Sequence, residues 1–344
     1  MSVNPLGIGV VGLGFMGFTH IRAYLAAIGA GCDCRLMAVS DPNSARLSGE
    51  APPTGNMAPT GSDRLFDPKQ VRGYLAAEEL FADSAIDVVS ICTYTDSHVE
   101  LACKALAAGK HVLLEKPVAL EVAQVRKVEE AARQAQRLCM PAMCMRFWPG
   151  WDFLRDHINA GSFGALKSAS FRRLGSGPGW ANSFYQDEKR SGGALFDLHI
   201  HDADFVYWCL GIPQSVYSTG TTNHITTCYH YADGPAHITA EGAWSLAPSA
   251  GFRMQYLVNF EKASIEFELA KTPAVTIHHS DRSEPVTFPP LSGYELQVQH
   301  FLAAVQGREQ LRATLGDAAK VVAILQAERQ SLHSRQGSSP SDFL

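Results

Sequence analysis

No run of about 18 consecutive apolar residues occurs in this 344-residue chain, so no segment qualifies as a bilayer-spanning helix. The opening segment, MSVNPLGIGVVGLG, lacks the basic stretch of a secretion signal and passes directly into a strand-like run, so a soluble, cytoplasmic protein is expected. Positive charge is not in excess either. Twenty-nine Lys and Arg stand against 34 Asp and Glu, a formal net charge of −5. That balance lacks the basic face that grips phosphate backbones, so no nucleic-acid partner is expected. There is no C-x-x-C. The eight cysteines (Cys32, Cys34, Cys92, Cys103, Cys139, Cys144, Cys209 and Cys228) fall mostly in apolar segments. They read as reduced thiols, not a disulfide or zinc framework. With 46% apolar and only 18% charged residues, a disordered tail or a coiled coil is excluded. What remains is a globular chain long enough for two domains.

The first 120 residues alternate short apolar strands with helical stretches. Leu6–Val11, Cys34–Ser40, Asp87–Tyr94 and His111–Leu114 read as strands, and the segments to about Ala27 and over Ser97–Ala108 as helices. That alternation predicts a parallel, doubly wound α/β sheet. GEAPPTGNMAPTGSD, residues 49–63, reads as a surface loop. After residue 120 the texture changes. Helices are expected over Leu120–Arg137, Gly150–Ala160, Gly193–Leu210, Tyr294–Val305 and Leu315–Leu332, with a strand over 140–147. Between about Leu166 and Phe288 lie β-rich segments such as LKSASFRRL and FRMQYLVNF, and the chain closes on a polar tail, HSRQGSSPSDFL. The expected organisation is a Rossmann domain over 1–120 and an α+β domain over 121–344. The latter is built on a large, open, mostly antiparallel sheet and serves substrate binding and oligomerisation. Alternating segments such as His237–Trp244 and Met254–Phe260 imply one uncovered apolar sheet face, hence a homodimer or homotetramer.

Gly12-Leu13-Gly14-Phe15-Met16-Gly17 is a G-x-G-x-x-G set between a strand and a helix. Gly12 permits the tight turn, Gly14 lets backbone approach a pyrophosphate, and Gly17 lets helix pack on strand. The helix N-terminus then offers N–H groups and a positive dipole end to phosphates. Asp41, at the end of the second strand, sits where an acid would bind the adenosine ribose hydroxyls. Its charge would repel a 2′-phosphate, so NAD is expected over NADP, which stays possible because Arg46 is near.

Two further segments carry chemistry. Gly109–Pro117 (GKHVLLEKP) delivers Glu115-Lys116-Pro117 at the carboxyl end of a buried strand, the edge where ligands bind in such sheets. In Ser191–Asp202 (SGGALFDLHIHD), Asp197 and His201 stand at i and i+4 and share one helix face. His199, two residues from each, points elsewhere and reads as structural. A metal site from His199, His201, Asp202 and Asp204 is not expected, because the spacing matches no standard ligand set. Trp180 lies in a loop able to fold over a site and offer an aromatic face to a substrate.

Together these segments resemble the glucose–fructose oxidoreductase / inositol 2-dehydrogenase / rhizopine-catabolism oxidoreductase family over nearly the whole chain. The resemblance includes GLGFMG, Asp41, the Thr93…His98 segment, GKHVLLEKP, RFWP at 146–149, GGALFDLHIHD and the closing SGYELQVQHFLAAV. It implies bound NAD(P) and hydride exchange at a hydroxyl carbon of a sugar, cyclitol or related polyol. It carries over Lys116, Asp197 and His201 as the catalytic set, and Thr93, Tyr94, His98, Glu115 and Lys116 as lining of the dinucleotide cleft. Arg146 matches a substrate-facing position. Two positions depart from the pattern: Tyr94 stands where Pro is common, and His199 where Gly is frequent. The resemblance also permits an alternative, a lyase or glycosidase with tightly bound NAD that oxidises a sugar hydroxyl transiently and eliminates. The intact catalytic set argues against a non-catalytic dinucleotide sensor.

Overall fold

The computed structural model describes residues 5–51, 64–179 and 182–344. Its contacts divide the chain into two units. The first holds the residues up to 119 with 123–144 and 292–318; the second holds 120–122, 145–291 and 319–344. This grouping differs from a split at 120, because the helix and strand after that point extend the first sheet and a late helix returns to it.

In the first unit, β1 (Leu6–Val11), β2 (Cys34–Ser40), β3 (Arg72–Tyr74), β4 (Val88–Ile91), β5 (His111–Leu114) and β6 (Cys139–Pro141) pair in parallel. Their order is β3-β2-β1-β4-β5-β6. Chain direction across the sheet reverses between β1 and β4, and the crevice off the carboxyl ends at such a reversal is where open α/β sheets bind ligands. The apolar runs of β1, β4 and β5 follow from burial on both faces. Helices α1 (Phe15–Gly29), α2 (Ala77–Ala82), α3 (Thr95–Ala107) and α4 (Val122–Ala135) make the crossovers. The strand expected over 140–147 ends at Pro141, and Cys144–Phe147 forms a 3₁₀ turn instead.

The second unit opens with α5 (Pro149–Ala160), started by Pro149 at its first turn and stopped by Gly161 in the left-handed region. Its sheet comprises β7 (Leu166–Leu174), β8 (Ser215–Thr221), β9 (His224–His230), β10 (His237–Ala243), β11 (Arg253–Phe260), β12 (Ser264–Glu268), β13 (Val275–His278) and β14 (Ser283–Val286). The order is β14-β13-β12-β11-β7-β10-β9-β8, antiparallel except for the β7–β10 pair. Between β7 and β8 come the short α6 (Asn182–Tyr185) and α7 (Glu188–Ser191), a π-helical turn over Leu195–His199, and α8 (Ile200–Leu210). The inner sheet face packs aromatic side chains around Trp151 of α5, whose ring lies 4.8 Å from Phe205 and 5.3 Å from Tyr256. The outer face corrects the expectation of an uncovered apolar surface. It presents Ser168, Ser170, Arg172, Thr239, Gln255 and Asn259, with Leu257 and Tyr217 as exposed apolar exceptions. Period-two alternation of an antiparallel sheet with one wet face explains this pattern.

Two closing helices follow, α9 (Gly293–Val305) and α10 (Leu315–Ser334). α9 belongs to the first unit, packs on α1 and begins with a capping box of Ser292 and Glu295. The polar tail is not loose: Ser338 and Val216 exchange backbone hydrogen bonds of 2.8 and 2.9 Å along the edge strand β8, shielding that edge. None of the eight cysteines forms a disulfide, and no helix among the described residues is long and apolar enough to cross a membrane.

Candidate active site

The glycine-rich turn follows β1 as expected. Gly12 has φ +87°, and a Cβ there would lie 2.7 Å from the Cys92 carbonyl oxygen; a Cβ at Gly17 would sit 2.0 Å from the Gly12 carbonyl oxygen. Both positions are closed to side chains by the protein's own backbone. Gly14 differs. Its φ is an ordinary −84°, and a Cβ there meets no atom within 4 Å. Among the described residues nothing crowds position 14, and the space beside it is open. α1 starts immediately after, with half-buried Phe15 and Met16, no side-chain cap and no acid in its first turn. An open space before uncapped helix N–H groups fits a phosphate group.

Asp41 lies at the end of β2, 3% exposed. Its Oδ2 accepts the Leu13 N–H at 2.8 Å, and its Oδ1 accepts the Asn43 N–H at 2.8 Å. It therefore also shapes the glycine turn, a role the sequence did not reveal. Arg46 donates to Oδ2 at 3.2 Å while its side chain stays 45% exposed. A carboxylate has about four acceptor sites. Three are engaged, which leaves room for one ribose hydroxyl. These residues fit a dinucleotide.

At the ends of β4 and β5 the structure separates the residues the resemblance grouped. Tyr94 caps α3 and is 45% exposed; Thr93 Oγ1 lies 2.7 Å from Ser97 Oγ. Lys116 is half-buried, and its peptide bond to Pro117 is cis. His98 and Glu115 are both buried and engaged by neighbouring segments. His98 is 1% exposed, with Nδ1 at 2.8 Å from the Pro117 carbonyl and Nε2 at 3.0 Å from the Thr93 carbonyl. Burial lowers its pKa despite those carbonyls. The ring thus sits between a carbonyl of the loop after β4 and one of the loop after β5. Glu115 is also buried, its Oε1 at 2.9 Å from His20 Nε2 and its Oε2 accepting the Lys116 N–H at 3.2 Å. His20 continues to Ser90 Oγ at 3.1 Å, which lies 2.9 Å from the Tyr24 hydroxyl. Burial would raise the Glu115 pKa, but His20 and the Lys116 charge hold it below the usual carboxylate value. This buried chain behind Lys116 was missed; a histidine on the apolar face of α1 was the available signal.

In the second unit, the helical block expected over Gly193–Leu210 contains the π-helical turn, which widens the backbone where Asp197 sits. From Ser191 to Val206 every residue is buried except Asp197 and His201. Those two side chains alone in this run reach the surface. His199 is fully buried, as its opposite orientation predicts. Arg146 requires correction: it is 1% exposed, and its guanidinium grips Asp204 through Nη2 at 2.6 Å and Nε at 3.0 Å. That fork-to-carboxylate pair makes Arg146 a core residue, not a substrate contact. Trp180 lies outside the described residues. No group of three potential metal ligands occurs among the described residues.

Residues 6–143 match the model of an oxidoreductase family with an NAD-binding Rossmann fold, and residues 151–266 match the GFO/IDH/MocA C-terminal domain. An oxidoreductase of Synechocystis is 36% identical over 146 residues, 42% of this chain; the match spans only 39% of that relative's length. The inositol 2-dehydrogenase of Rhizobium meliloti is 24% identical over 95% of this chain and 97% of its own. A levoglucosan dehydrogenase solved with NADH and levoglucosan superposes with a TM-score of 0.82 at 18% identity, covering 97% of this chain and 99% of that one. The chain belongs to the GFO/IDH/MocA family of NAD-binding oxidoreductases.

Proposed function

We propose that this protein is an NAD-dependent dehydrogenase that exchanges hydride between nicotinamide and a hydroxyl-bearing carbon of a sugar, cyclitol or related polyol. The observation that carries the reading is the selective exposure of Asp197 and His201 within an otherwise buried run, in a chain of an NAD-binding oxidoreductase family. The names of the inositol and levoglucosan dehydrogenases support the substrate class. Gly12, Gly14, Phe15, Met16, Gly17 and Asp41 would hold the dinucleotide, with Thr93, Tyr94 and Lys116 toward its nicotinamide end. The bound cofactor supplies the hydride acceptor. An alcohol losing hydride must also lose its hydroxyl proton. The Lys116 ammonium donates a hydrogen bond to the hydroxyl oxygen and stabilises the developing alkoxide. His201 accepts the proton, since imidazole titrates near neutrality. Asp197 orients the substrate beside it.

A screen of NAD⁺ reduction across aldoses, inositols and sugar acids tests the reading. Once a substrate is found, Lys116→Ala should lose on the order of 3 kcal/mol of transition-state stabilisation. His201→Ala should lose on the order of 100-fold in turnover. NADH affinity should stay near wild type in both. Wild-type hydride transfer in the Lys116 variant would sink the mechanism. Substrate consumed without net NADH would favour the elimination chemistry instead. The family resemblance also points to a homodimer or homotetramer. Sedimentation at micromolar concentration checks it.

A further inference from the structure

The buried centre beneath the π-helical turn has no role in the chemistry above, yet it is an unusual thing to keep. His199, the last residue of the turn, and Glu328 of α10 are both 0% exposed, with Nε2 and Oε2 3.1 Å apart; the contact is one of charge, since neither Glu328 oxygen makes a hydrogen bond among the described residues. Tyr229 of β9 brings its hydroxyl to 3.2 Å from the same Nε2. Asp202 of α8 faces the pair and is held by Arg173 of β7 at 3.0 and 3.1 Å. Burial opposes charge on His199, but Glu328 and Asp202 outweigh it, so the imidazole pKa lies above its ordinary value. Burial and Glu328 likewise keep the Tyr229 phenol protonated. A buried ion pair is weak evidence for stability, since well-packed apolar residues serve as well or better. Its documented use is to select one geometry among several.

The surroundings show which geometry is selected. Gly242 of β10 is bare where His199 presses in: a Cβ there would lie 2.8 Å from His199 Cβ and 3.0 Å from Nδ1. The other end of the turn is tied down separately, Leu195 N–H donating to the Thr222 carbonyl at 2.9 Å and Ala194 N–H to Asn223 Oδ1 at 3.3 Å. A π-turn is less favourable than the α-helix it replaces and persists where its surroundings hold it. Here it is pinned at its start by the turn between β8 and β9, and at its end by His199. Asp197 lies inside the pinned stretch, and His201 two residues beyond it.

We propose that Glu328 is a positioning residue: paired with His199, it anchors the π-turn to the sheet and so sets the direction in which Asp197 and His201 project. The proposal rests on the reading of those two residues as the proton-handling pair. Histidine at 199, where the family pattern often has glycine, and Glu328 then form one device.

The test compares full-length wild type with Glu328→Gln, which removes the charge at constant shape, and Glu328→Asp, which keeps it. Three quantities are read without any polyol: hydrogen exchange of peptides covering 195–201, the imidazole titration of His201 by NMR, and NADH affinity. Glu328→Gln should speed exchange over 195–201 at least tenfold and displace the His201 titration. Exchange over Phe15–Gly29 and NADH affinity should stay unchanged, and Glu328→Asp should restore most of the protection. Wild-type exchange and titration in Glu328→Gln would overturn the proposal, as would acceleration spread evenly over the second unit. If Glu328→Gln does not fold, the paired variant His199→Gln/Glu328→Gln decides. Native protection over 195–201 overturns the proposal, and selective loss supports it. A full-activity His201→Ala would count against the catalytic reading alone, because the exchange arm does not depend on turnover.

Discussion

Each unit of this protein backs its exposed chemistry with a buried carboxylate–imidazole pair, and the two pairs differ instructively. Behind Lys116 lies Glu115–His20 at 2.9 Å; behind Asp197 and His201 lies Glu328–His199 at 3.1 Å. Glu115 is chain neighbour to the lysine it supports and accepts that residue's N–H. Glu328 instead reaches its partner from a helix near the C-terminus. In the first unit a short motif carries both the functional side chain and its support. In the second, support comes from tertiary packing. Another buried histidine of the first unit, His98, contrasts with His199 in sign: burial lowers the His98 pKa, whereas Glu328 raises that of His199 against burial.

The most drastic way to break this comparison is to remove one member of each pair. Glu115→Ala and Glu328→Ala each take the carboxylate from a buried imidazole, so each should lose about 1–3 kcal/mol of stability in denaturant titrations. A loss below about 1 kcal/mol in either would mean that pair is no structural anchor. Next comes the glycine turn, where support and ligand site separate cleanly. Gly14→Ala should leave the melting temperature unchanged but weaken NADH binding at least tenfold, about 1.4 kcal/mol. Gly17→Ala should fail to fold properly, because its Cβ overlaps the Gly12 carbonyl. Equal NADH affinity in wild type and Gly14→Ala would remove the phosphate reading of that space.

The opposite pKa directions predict opposite pH dependences. His199 is raised, so its contribution is complete below the unfolded histidine value near 6.5 and is lost as pH rises through the folded value. His98 is lowered, so its contribution is complete above about 6.5 and is lost as pH falls toward its folded value. Stability differences between wild type and His199→Gln, and between wild type and His98→Gln, should therefore slope in opposite directions. Neither slope can exceed about 1.4 kcal/mol per pH unit. Parallel slopes in urea titrations would contradict the contrast. The smallest effect belongs to Arg46. Arg46→Ala should weaken NADP(H) binding severalfold while leaving NAD(H) nearly unaffected, because its exposed guanidinium is the cation closest to Asp41 that could meet a 2′-phosphate.

Local pattern was enough to find β1, β2, β5 and β7 to the residue, the glycine turn, and the motifs holding Lys116, Asp197 and His201. Those features depend on near neighbours: runs buried on both faces, a turn that tolerates only glycine, two side chains one helical turn apart. Four things required the folded chain. The outer sheet face is polar because strand pairing assigned each residue its side. Arg146 left the substrate pocket because Asp204 of α8 claims its guanidinium. His98 and Glu115 proved buried because packing brought each of them partners, His98 the Thr93 and Pro117 carbonyls and Glu115 the His20 ring. Glu328 entered only where the fold brings α10 against His199 and Tyr229. Periodicity records which side chains face inward, but an inward-facing polar group is matched to its partner by three-dimensional packing, to which spacing along the chain is blind.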